Sequence, residues 1–165
     1  MKDLGKIIAT TIREYINENI NRDKSRKVLF VDEHGKNIVY DDGEYRIAVD
    51  DENDAQYITL WHKEHVKGKE YWTKRGYLDA WVSKMNFKDR DGKYLSIRSI
   101  EIENKHRNMG YGTKMYKALF DFSANDIKGI YSYLPNRVNK KQIPKIYNKL
   151  GAVTDGDYQF IEFNT

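Results

Sequence analysis

Between residues 99 and 122 the chain passes from a β-prone segment, Ser99-Ile100-Glu101-Ile102, through a turn punctuated by Gly110 and Gly112, into a segment with helical apolar spacing. Glycine accepts backbone conformations that side chains resist, so the amides of Arg107, Asn108, Met109, Gly110, Tyr111, Gly112 and Thr113 can converge on one point. The helix that opens there adds the positive end of its dipole. A strand, a glycine turn and a helix N-terminus in that order make a site for a phosphate or pyrophosphate. The plainer alternative is a turn that only joins a strand to a helix.

Two familiar phosphate loops do not fit. A P-loop needs a glycine five positions before the second one and a Lys directly after it, but Lys105 and Arg107 stand where the first glycine belongs, and Gly112 is followed by Thr113-Lys114. A dinucleotide fingerprint needs a third small residue where Met115 stands. Arg107-Asn108-Met109-Gly110-Tyr111-Gly112 instead reads as R-x-x-G-x-G and resembles the acyl-CoA pyrophosphate loop of the GNAT superfamily of N-acyltransferases. Farther along, Ile143-Pro144-Lys145-Ile146-Tyr147-Asn148-Lys149-Leu150-Gly151-Ala152 resembles the Y-x-K-L-G-F segment that ends a conserved helix of the same superfamily, in the same order along the chain. The departures are Ala152 in place of an aromatic, Pro144 in the first turn of that helix, and Asn139 one residue out of step with the family's asparagine. They bear on contacts to the pantetheine arm.

The resemblance implies an α+β fold, with a mixed, mostly antiparallel sheet flanked by helices. It implies acetyl-CoA as acyl donor and a primary amine as acceptor, the amine attacking the thioester directly in a ternary complex. It assigns the pyrophosphate to the backbone of residues 107–113, the pantetheine arm to Ile102 and Asn139, and protonation of the departing thiolate to Tyr147. Tyr147 also lies on an apolar stripe with Ile143, Ile146 and Leu150, so plain core packing is its alternative role. An acyl-CoA-binding protein without turnover, acting as a sensor or interaction module, is the alternative for the whole chain.

At 165 residues, with two prolines and no Gly- or Ser-rich run, the sequence reads as one continuous domain over 1–165. Without cysteine it makes no disulfide and no thiolate nucleophile, which suits a reducing cytoplasm. Charges at Lys2, Asp3, Lys6, Arg13, Glu14 and Glu18 rule out a signal peptide or a membrane span over residues 1–20. The expected protein is cytoplasmic, a monomer or homodimer, with no membrane partner. The net charge of +4 comes from 29 Lys and Arg scattered among 25 Asp and Glu, so a nucleic-acid-binding module ranks last among the readings.

Helical spacing of Leu4, Ile7, Ile8, Thr11, Ile12, Tyr15, Ile16 and Ile20 predicts a first amphipathic helix. Short strands are expected at 27–31, 36–40 and 44–50, separated by Glu33-His34-Gly35 and Asp41-Asp42-Gly43. Longer ones follow at 55–62 and 76–85, and a hairpin turn over 88–92 leads into a strand at 94–103. Next come a helix at 110–124, a strand at 129–134, a helix at 143–150 closed by Gly151, and a final strand at 158–163. The 110–124 helix should turn Tyr111, Met115, Ala118, Leu119 and Phe122 to the sheet.

Glu101 and Glu103 are the candidate general bases. Two apart on a strand, they point to one face unless a bulge separates them, as often happens in this strand of the family. The alternative is a pair of exposed strand-end charges. His62 and His65, three apart on a strand, face opposite ways with no completing cluster, so no metal is expected. His106, beside the phosphate turn, could assist binding there, but it reads first as a surface loop histidine. Tyr71-Trp72 beside Lys69, Lys74 and Arg75 has the composition of a base-stacking platform, and residues 65–75 read as a loop beside the acceptor site.

Overall fold

The computed structural model describes residues 28–52, 55–87, 90–122, 127–133 and 151–163, together with Thr10 and Arg13, both helical. Nine strands form one sheet: β1 (Phe30–Val31), β2 (Asn37–Asp41), β3 (Tyr45–Glu52), β4 (Ala55–Val66), β5 (Lys69–Phe87), β6 (Arg90–Ile102), β7 (Ile127–Tyr133), β8 (Val153–Asp155) and β9 (Tyr158–Glu162). Their spatial order is β1-β2-β3-β4-β5-β6-β7-β9-β8. Helix α1 (Tyr111–Phe122) follows β6 and packs over β3, β4 and β5.

Alternation builds the core face. Tyr45, Ile47 and Val49 of β3, Ile58 and Leu60 of β4, and Leu78 and Ala80 of β5 lie buried together with Met115 and Leu119 of α1. The acidic turn before β3 forms as its chemistry dictates: Asp42 accepts from the amides of Glu44 and Tyr45, and Asp41 from that of Gly43.

Several expected boundaries shift. Residues 65–75 are not a loop: β4 and β5 continue as a hairpin out to the Val66–Lys69 pair, closed by Lys67 and Gly68 alone. Both have left-handed backbones, φ 51° and 76°, as a two-residue hairpin turn of the I′ kind requires. The next turn is also tighter than expected, since Phe87 pairs with Arg90 and residues 90–92 belong to β6. Strand β8, which pairs with β9 across Gly156-Asp157, carries too few residues to show a periodicity of its own. On α1, Tyr116 and Phe120 are buried while Tyr111 and Phe122 are only half-buried. The helix is covered on two sides, with Phe120 meeting Phe163 edge-on at 5.5 Å, so a single apolar stripe does not describe it. It is the one complete helix among the described residues, and the flanking helices expected at 4–20 and 143–150 lie outside them apart from Thr10 and Arg13.

The parallel pair β6–β7 positions everything that follows. Its register covers Lys93–Ile127, Tyr94–Gly129 and Leu95–Ile130. Beyond Leu95 and Ile130 the strands part: β6 runs on to Ile102 along β5, and β7 to Tyr133 along β9. Gly129 sits at the crotch of this fork, where a Cβ would stand 2.1 Å from the Ile161 carbonyl oxygen, so only glycine lets β9 approach.

Candidate active site

The fork opens toward the turn that ends β6. In that turn Asn104–His106 form a single 3₁₀ turn, Arg107 is extended, Asn108 and Gly110 are left-handed at φ 64° and 85°, and α1 starts at Tyr111. The Lys114 amide donates to the Gly110 carbonyl, so the first-turn amides before it have no carbonyl behind them in the helix. The left-handed φ explains Gly110. Gly112 is buried within the first helical turn. The Arg107 side chain folds back, its Nε donating to the Ile102 carbonyl and tying the turn to the end of β6. The backbone of residues 107–113 and the end of β6 are therefore one unit.

Asp42 anchors this unit from the β2–β3 turn. Its carboxylate accepts from the Tyr111 hydroxyl at 2.6 Å, the Tyr45 amide at 2.6 Å, the Glu44 amide at 2.9 Å and the Tyr40 hydroxyl at 3.0 Å. Burial alone would raise its pKa, but these bonds outweigh it and hold the carboxyl at about 2. Burial, followed by the bond to Asp42, pushes the Tyr111 phenol well above its ordinary value.

The candidate carboxylates have different partners. Asp79 pairs with Ser99 and Ala80 with Ile97, so Arg98 is an extra residue in β6 and the bulge precedes Glu101 instead of dividing it from Glu103. Glu101 lies beside Tyr77, whose hydroxyl donates to it at 3.1 Å. Glu103 is held by Arg75 at 2.8 Å, and the same guanidinium grips Glu64 through Nε, also at 2.8 Å, and a second nitrogen. Arg75 is itself an extra residue: Leu60 pairs with Gly76 and Trp61 with Lys74. Hydrogen bonds from Arg75 hold the Glu64 carboxyl below the usual carboxylate range.

His106 is not a surface histidine. The 3₁₀ turn tucks it inward to 9% exposure, where its Nδ1 meets the Tyr45 hydroxyl at 2.7 Å and its ring lies 4.8 Å from that of His62. Burial, then the nearby His62 and Arg75, push its pKa down and favour the neutral ring. His62 and His65 do face opposite ways, but His62 stands on the α1 face with Tyr45 and His106. The proposed aromatic platform is arranged differently as well. Trp72 is covered by Arg46 at 4.0 Å and approached by Lys63 at 5.4 Å, while Arg75 turns to its two glutamates. Asn139 and Tyr147 lie outside the described residues. Tyr45, Asp42, Glu64 and Arg75 had no local signature as site neighbours, because strand pairing and folding of the turn bring them together.

A mostly antiparallel sheet, forked at its parallel pair and carrying an R-x-x-G-x-G turn at the mouth of the fork, defines the class of this chain as an acyltransferase fold. More particularly, the chain belongs to the acetyltransferase (GNAT) family, whose profile matches residues 36–152. Among solved structures it is similar to the KacTA–DNA complex, with 16% identity over 68% of this chain and 70% of that one, at a TM-score of 0.46. It is similar also to Arabidopsis thaliana NAA60 in complex with a bisubstrate analogue, with 12% identity over 68% and 77% and a TM-score of 0.47. A third is a variant of the AtaT toxin bound to the C-terminus of the antitoxin AtaR and acetyl-CoA, with 12% identity over 66% and 68% and a TM-score of 0.43. No curated protein matches the chain in sequence. Among the described residues no helix is long and apolar enough to cross a membrane.

Proposed function

We propose that this chain is an N-acetyltransferase that moves the acetyl group of acetyl-CoA to a primary amine by direct attack in a ternary complex. The observation that carries the reading is the fork beyond Leu95 and Ile130, which opens toward the turn of residues 107–113. Amides of that turn suit a pyrophosphate. The end of β6 around Ile102 suits an extended amide-bearing arm lying in the fork, with Asn139 beside it by motif. The amine nitrogen attacks the thioester carbonyl carbon, the C–S bond breaks, and the acetyl group ends on nitrogen as an amide. An ammonium must first lose a proton. We take Glu101 as the base in preference to Glu103, because Arg75 occupies the Glu103 carboxylate whereas, among the described residues, Glu101 accepts only from the Tyr77 hydroxyl. Tyr147, by its place in the family motif, returns a proton to the departing thiolate.

Incubating the purified protein with acetyl-CoA and a panel of amines, while following free thiol, tests the proposal. Thiol release that depends on one class of amine supports it, and Tyr147→Phe should lower that rate about 10²-fold while leaving acetyl-CoA binding intact. Tight acetyl-CoA binding without thiol release for any amine would leave the non-catalytic acyl-CoA-binding reading. Affinity for nucleic acid that collapses with added salt, without acetyl-CoA binding, would favour the third.

A further inference from the structure

We propose that His62, Glu64 and His106 form a binding site for a divalent transition-metal ion of the zinc type. One donor atom from each of the three lies within 4.8 Å of the others. Ligands around a tetrahedral zinc stand roughly 3.3–3.5 Å apart, given metal–ligand distances of about 2.0–2.2 Å. Side-chain rotations that move each donor about an ångström inward close the site.

The ring orientations carry the argument. His106 has its Nδ1 on the Tyr45 hydroxyl at 2.7 Å, which leaves Nε2 as the coordinating atom. His62 has its Nε2 on Glu44 at 3.2 Å, which leaves Nδ1, and that nitrogen already faces Glu64 Oε1 at 3.4 Å. Each histidine thus has one nitrogen held by an orienting oxygen, as outer partners hold metal-ligating histidines, and the other nitrogen of His62 faces the Glu64 carboxylate. The surrounding charge also suits a cation. Three carboxylates surround the cluster, Glu44 on His62 and both Glu64 and Glu103 on the Arg75 guanidinium. Both Arg75 bonds to Glu64 fall on Oε1, so Arg75 can keep that oxygen and Glu103 while Oε2, which accepts from Thr73 at 3.4 Å, turns to the metal. Three protein ligands leave one position for water.

The ion would tie β4 to the 3₁₀ turn that leads into residues 107–113. It lies on the α1 face of the sheet and does not depend on the proposed acetyl transfer. The sequence expectation of no metal weighed His62 against His65, whereas the partner is His106, on the far side of two more strands.

The test uses untagged full-length protein stripped with a chelator, then titrated with Zn²⁺ against a chromophoric competitor and, separately, with Co²⁺ as a spectroscopic probe. Stoichiometric Zn²⁺ binding is expected, with the intense visible bands of tetrahedral Co²⁺. His62→Ala and Glu64→Gln should each weaken binding by about tenfold or more. His34→Ala and His65→Ala should not change it. His62 and Glu64 are partly exposed, so circular dichroism should show both variants folded, and they test the site without disturbing buried His106. No binding by the folded wild type, or binding that survives either His62→Ala or Glu64→Gln, would overturn the proposal.

Discussion

Tyr45→Phe removes one oxygen from the middle of the aromatic cluster and leaves the ring. Tyr45 is 3% exposed, and its ring stays in place against Tyr111 at 4.2 Å, His62 at 4.6 Å and His106 at 5.7 Å. What is lost is the 2.7 Å bond to His106 Nδ1 and the longer 3.7 Å contact to the Met109 sulfur. A net hydrogen bond is worth about 1 kcal/mol, and a buried nitrogen left without a partner costs about 1–3 kcal/mol. The two overlap, so the expected loss is about 2 kcal/mol, or about 4–8 °C in melting temperature for a chain of this size. Urea denaturation of wild type and variant gives the difference directly. Tyr40→Phe is the control: its hydroxyl bonds to Asp42 at an exposed turn and should cost about 0.5 kcal/mol or less. If Tyr45→Phe falls within that same range at an unchanged denaturant slope, the Tyr45–His106 contact does not hold the turn and the reasoning fails.

Two glycines should separate by mechanism. Gly129→Ala puts a Cβ 2.1 Å from a backbone oxygen and should cost about 3 kcal/mol or more, whereas Gly110→Ala meets nothing within 4 Å and pays only for its left-handed φ, about 1–2 kcal/mol, both read from denaturation midpoints. Acid should weaken the Asp42 anchor. Because its folded pKa of about 2 lies below the ordinary carboxyl value of 3.8, its contribution is fully present above that ordinary value and disappears as pH falls through about 2, so Asp42→Asn should flatten the loss of stability between pH 5 and 2. For catalysis, Glu101→Gln should slow acetyl transfer at neutral pH and recover in part at high pH, where the amine is already neutral, while Glu103→Gln should do less; full activity in both variants would assign the base elsewhere.

Much of the sheet was legible because its strands obey period two: Tyr45, Ile47 and Val49 announce one face before any partner is known. Asp41-Asp42-Gly43 announced its turn through side chains that bond their own backbone. The 65–75 segment misled because a glycine amid mixed charges marks a long loop and a two-residue hairpin turn equally well, and polar residues on both faces hide the alternation. Tyr116 and Phe120 escaped because one-stripe reasoning assumes a helix with a single buried side. The glycines of residues 107–113 marked a turn that opens a helix, but the fork that faces it depends on where β7 stops pairing with β6, which no local pattern records. The His62–Glu64–His106 cluster was illegible for a similar reason. Periodicity relates neighbours on one strand, and this cluster joins a strand to a turn far along the chain.

The central claim is that the fork and its turn hold acetyl-CoA, and isothermal titration of the full chain with acetyl-CoA, in parallel with Gly112→Val, tests it most directly. The account predicts saturable one-to-one binding that depends little on salt, and a loss of about tenfold or more in a folded Gly112→Val protein, because Gly112 lies in the first helical turn, at the proposed pyrophosphate site. No heat at millimolar acetyl-CoA from folded wild-type protein, or equal affinity in the folded variant, would contradict it.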